Sequence, residues 1–133
     1  LSSRIPPEII LGIIQQLPFE TGALISSLRY AHPRLQQIFE QYERSITASF
    51  MERELRHAQT DFPSSYTPNL KWLAECVRRY DIVDDIMDAL CSARNCYAVE
   101  RHNLAVVNAG LLLLYRISAA GSSCMMTFTW ILR

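Results

Sequence analysis

The chain reads as all-α, and three observations carry that reading. Apolar residues recur at steps of three and four along most of its 133 residues. Glycine is scarce, with only 4 in the whole sequence. No stretch alternates apolar and polar side chains for long, so nothing asks for a half-buried strand.

Each element can be argued in order. Pro6 and Pro7 open a helix predicted over 7–17, because proline is tolerated where the backbone N–H has no intrahelical partner. Glu8 complements the positive end of its dipole. Ile9, Ile10, Ile13, Ile14 and Leu17 fall at helical spacing, and Pro18 stops the run. Their apolar face is too wide for one short neighbour to cover. A second helix is predicted over 19–30, with Leu24 and Leu28 four apart. Pro33 opens a long third helix with the stripe Leu35, Ile38, Phe39, Tyr42, Ile46, Phe50 and Leu55. Glu40, Glu43, Arg44, Glu52, Arg53, Glu54 and Arg56 make up its other, solvated face.

Two prolines and several turn formers then mark a break. The predicted organisation is a helical module over 1–59, a Pro/Ser linker over 60–68 and a helical extension over 69–133. Asn69 can cap a fourth helix over 69–80, whose stripe is Leu70, Leu73, Val77 and Tyr80. Asp81 can cap a fifth, carrying Ile82, Val83, Ile86, Met87, Leu90 and Cys91. A sixth is predicted over 97–118. Between Leu104 and Leu114 it has one clearly polar residue, Asn108, so it is expected to be enclosed on all sides. Met125, Met126, Phe128, Trp130, Ile131 and Leu132 follow, and are expected to leave an apolar patch.

The opening third resembles an F-box, of the F-box-like kind common in filamentous fungi. That pattern begins with an aliphatic residue, a proline, any residue and an acid, followed by aliphatic positions over two turns and a Leu-Pro stop. Ile5, Pro6, Glu8, Ile9, Ile10, Ile13, Leu17 and Pro18 match in turn, and Leu24, Leu28 and the Arg34-Leu35 continuation match further on. The Cys and Trp that the family tends to carry before its third helix are absent; the chain reads Leu28-Arg29-Tyr30-Ala31-His32-Pro33 there. The resemblance implies an adaptor that docks a substrate receptor onto the Skp subunit of a cullin–RING ubiquitin ligase. It also implies that Ile5, Pro6, Glu8, Ile9, Ile10, Ile13, Leu17, Leu24, Leu28 and Leu35 bind Skp or hold the helices that do. The substrate would be a protein that the sequence does not identify, and the location cytoplasmic or nuclear. A helical scaffold outside ubiquitination is the alternative.

Composition narrows the partners. Net charge is zero, which argues against a surface that works by neutralising phosphates. Lys71 is the one lysine among 13 basic residues. Cys76, Cys91, Cys96 and Cys124 form no C-x-x-C pair, and the apolar content suffices for a core, so reduced thiols are expected. From Ile117 to Leu132 no charge occurs, but the stretch is shorter and more polar than a membrane span requires.

Catalysis is not expected, nor any metal or cofactor. The sharpest rival is Asp84-Asp85-Ile86-Met87-Asp88, similar to the first aspartate-rich motif of prenyl diphosphate synthases, where carboxylates hold Mg²⁺. A second acidic motif is missing, and Asp84 and Asp85 also suit the first turn of a helix capped by Asp81, with Asp88 on its solvated side. His32, His57 and His102 are scattered, and nothing marks a pair such as Cys96 with His102 as nucleophile and base.

Overall fold

The computed structural model describes residues 5–20, 22–64, 66–92 and 99–128, with side chains at 101 and 120–128 left aside. Among these residues the chain is all-α, with no strand. The helices are α1 (Pro7–Gln16), α2 (Ala23–Ala31), α3 (Pro33–Glu54), α4 (Ala58–Asp61), α5 (Leu70–Cys91) and α6 (Leu104–Phe128). A 3-10 turn, Arg101–Asn103, precedes α6.

The chain forms two compact units. One comprises Leu1–Arg56 with Ser65–Arg78, the other His57–Ser64 with Arg79–Arg133. This division differs from the predicted linker at 60–68. Leu70, Trp72, Leu73, Ala74 and Val77 pack against the apolar cluster of the first unit, so the start of α5 belongs there. Residues 57–64, expected as module end and linker, belong to the second.

Local sequence explains most boundaries. Pro7 starts α1, and Leu17 ends it in extended backbone just before Pro18. The second helix begins later than predicted, at Ala23. Glu20 and Gly22 both take positive φ, 45° and 75°, which helix cannot accommodate, and Phe19 is buried as an anchor ahead of them. His32 caps α3, its Nδ1 accepting from the Arg34 N–H at 3.1 Å. Tyr42 departs from helical backbone inside α3 and kinks it. The Asn69 side chain caps α5 as the sequence predicts, Oδ1 accepting from Trp72 N–H at 2.8 Å.

The separate fourth and fifth helices are one, α5. No Pro or Gly occurs from Leu70 to Cys91, and a capping residue without a break does not end a helix. Asp81 is therefore mid-helix, and Asp84 and Asp85 are far from any first turn.

In the first unit Ile14, Phe19, Ile25, Ile38, Phe39, Ile46, Phe50 and Leu73 form the buried cluster. Full burial of each such side chain is worth about 1.5–3 kcal/mol. The Phe19 and Phe50 rings meet at 5.1 Å. Arg53 and Glu54, expected on a solvated face, bind instead to the end of α1. Arg53 donates to the carbonyls of Gln15 and Leu17, and Glu54 accepts from Phe19 N–H at 3.1 Å. These carbonyls and this N–H lie beyond the helix ladder and need outside partners. At the other end Arg34 donates to the Ile5 carbonyl.

The second unit is built around Phe62. The rings of Tyr80 and Tyr115 stand edge-on to it at 4.9 and 5.4 Å, and the Arg79 guanidinium lies 5.5 Å from its centre. Asp61, beside it, accepts from Tyr80 Oη at 2.7 Å and Arg116 Nη2 at 2.8 Å, linking α4, α5 and α6. The expected enclosure of 104–114 is not found. Val106 is 71 % exposed and Leu114 62 %, and Leu113 and Ile117 are also exposed. No helix of the described residues is long and apolar enough to cross a membrane. Neither Cys76, which is buried, nor Cys91 is in a disulfide. The expected patch at 125–132, with Cys96 and Cys124, lies outside the described side chains.

Candidate docking surface

The outer face of α1 is the most unusual surface of the first unit. The helix is apolar on more than one side, so packing must choose which side goes inward. Ile14 is buried, and Ile10, Leu11 and Leu17 pack around it on the core. The opposite side keeps its isoleucines in solvent. Ile9 is 55 % exposed, Ile13 59 % and Ile5, just ahead of the helix, 45 %. Their four-residue spacing places them along one face. Gly12 is exposed next to them, and a Cβ added there meets nothing within 4 Å. A partner's backbone can approach closely at that point. Leu24, in the first turn of α2, is 49 % exposed.

The residues predicted to bind a partner therefore divide. Ile5, Pro6, Glu8, Ile9, Ile13 and Leu24 are exposed. Ile10, Leu17 and Leu28 are half-buried and pack on the core, holding helices together. Leu35 is half-buried at the start of α3. The pattern at 5–17 mixes the two sets, and only the choice of Ile14 as the inward residue separates them. Tyr30, 70 % exposed at the end of α2, was not among the predicted contacts. Its signal was available, since tyrosine is one of the residue types that dominate interfaces.

The aspartate-rich run lies elsewhere. Asp84, Asp85 and Asp88 are exposed along α5. Among the described residues no group of His, Cys, Asp and Glu is placed to hold a metal ion. His102 and Glu100 approach at 3.2 Å but are both largely exposed, a pairing worth little in water.

No protein-family model, curated protein or solved structure matches the chain.

Proposed function

We propose that the first unit is an F-box-like docking module that binds the Skp adaptor of a cullin–RING ubiquitin ligase through α1 and the start of α2. The observation that carries this reading is the exposed row Ile5, Ile9 and Ile13, with Leu24, at positions where the F-box pattern asks for apolar residues. Leaving these side chains in water gains nothing for a monomer, while an apolar partner surface would bury them at about 25 cal/mol per Å². In this reading the rest of the chain presents a protein for ubiquitination, in the cytoplasm or nucleus, and performs no chemistry itself.

The exposed positions give a clean test. Ile9→Asp and Ile13→Asp place a charge in solvent rather than in the core, so the melting temperature should hold. Capture by immobilised Skp adaptor should be lost in both. Capture undiminished in these folded variants would reject the surface. The absence of catalysis has its own test: calorimetry with Mg²⁺ should show no saturable binding at micromolar concentration. Tight binding lost in Asp84→Asn/Asp88→Asn would restore the enzyme reading.

A further inference from the structure

A groove of about 480 Å³ lies within the first unit, between α2 and the start of α5. It does not involve Ile9 or Ile13. Its floor is apolar, made by Phe19, Ile25, Leu70 and Ala74. Its rim carries Ser26, Tyr30 and two cations, Arg29 and Lys71, and no acid lines it. Neither cation has an ion-pair partner among the described residues. The nearest acids in sequence are Glu20 and Glu75, and Glu75 is held in a two-pronged pair by Arg78 at 2.7 and 2.9 Å.

Two features of this rim bear on the charge of a partner. Arg29 Nε is shut off from solvent with no hydrogen-bond partner. Nε is the one Arg29 donor enclosed in this way, so an anion would meet the Nη groups of the guanidinium. Lys71 stands in the first turn of α5, where the exposed N–H groups already make the potential positive. A second positive charge there is unfavourable unless an anion comes close. Arg29 also lies over the Tyr30 ring at 6.0 Å, so the rim offers a flat cation beside an exposed aromatic.

We propose that this groove binds an acidic peptide segment, one in which a carboxylate side chain neighbours a large apolar side chain. The carboxylate would lie between Arg29 and Lys71, accepting from the Nη groups of Arg29. The apolar side chain would cover Leu70 and Ala74 on the floor. The volume suits two or three residues of extended chain. A nucleic acid fits less well, because two cations do not make a track along a phosphate backbone and the chain has no net positive charge.

The test is fluorescence anisotropy on the full chain with a fluorescein-labelled peptide of alternating glutamate and leucine. A peptide with glutamine for glutamate serves as its pair. Saturable binding of the acidic peptide is expected, with the glutamine peptide at least about tenfold weaker. Lys71→Gln, at an exposed position, should weaken binding about threefold. Arg29→Gln, checked for an unchanged melt, should weaken it about tenfold. Ile13→Asp should leave it unaltered, which separates this groove from the α1 surface. Equal affinity for the two peptides would overturn the proposal. So would unchanged binding in Lys71→Gln, or displacement of the peptide by a single-stranded oligonucleotide of equal charge.

Discussion

The two compact units are held together by different physics. In the first, Ile14, Phe19, Ile25, Phe39, Ile46, Phe50 and Leu73 bury themselves against one another. That attraction is nondirectional and spread over many side chains. Among the described side chains of the second, the buried ones are Ala58, Phe62 and Val83, with Asp61 almost as deep. What joins α4, α5 and α6 there is directional, namely the rings around Phe62 and the two donors on Asp61. A core of the first kind can lend one side of a helix to a partner and still stand. The second kind makes each directional contact count for more, while Val106, Leu113, Leu114 and Ile117 of α6 contribute little burial.

The largest expected effect lies in the first unit. Phe50→Ala removes a fully buried ring from beneath Arg53 and beside Phe19. It should cost about 3–5 kcal/mol, read from urea denaturation followed by circular dichroism. A cost below about 1 kcal/mol would mean that the apolar cluster is not what holds this unit.

Asp61→Asn should come next, at about 1–3 kcal/mol, because it removes the charge that Arg116 pairs with at a site only partly open to water. Hydrogen exchange shows where the loss falls. Amides of α6 should lose protection while those of α1 to α3 keep theirs. Equal loss in both would show that the units unfold as one.

Much of this was legible along the chain. Pro7, Pro33 and Asn69 mark where α1, α3 and α5 begin because their effects are local: a missing N–H, a fixed φ, a side-chain oxygen within reach of the first turn. The stripe Ile38, Phe39, Ile46 and Phe50 does face the core. What was not legible depended on distant partners. Arg53 and Glu54 look like solvent-facing charges until the end of α1 is brought to them. Asp61 looks like a turn former until Tyr80 and Arg116 arrive. Asp81 looks like a cap, and only the unbroken helix on both sides of it removes that role. The face of α1 that stays in solvent follows the same rule. Periodicity put isoleucines on every side, and the core selected Ile14.

Gly22→Ala is a smaller change, at about 1 kcal/mol. The residue has φ of 75°, and the new Cβ would stand 3.2 Å from the Phe19 ring and 3.4 Å from Ala74. A thermal melt measures the cost, and a gain in stability would contradict the backbone assignment between α1 and α2. Smallest of all is Thr47→Val. The Thr47 hydroxyl is buried without a hydrogen-bond partner, so an apolar isostere should be neutral or stabilise by up to about 1 kcal/mol. A clear loss in the same melt would mean that the hydroxyl has a bonding role.

The proposed role of α1 is that an adaptor covers its exposed apolar face. Isothermal titration of the full chain with purified Skp adaptor tests it most directly. Saturable one-to-one binding is expected, and it should disappear in Ile9→Asp/Ile13→Asp while the melting temperature of that variant matches the wild type. A folded wild-type chain that gives no binding heat and no complex on gel filtration would contradict it, as would full binding by the folded double variant.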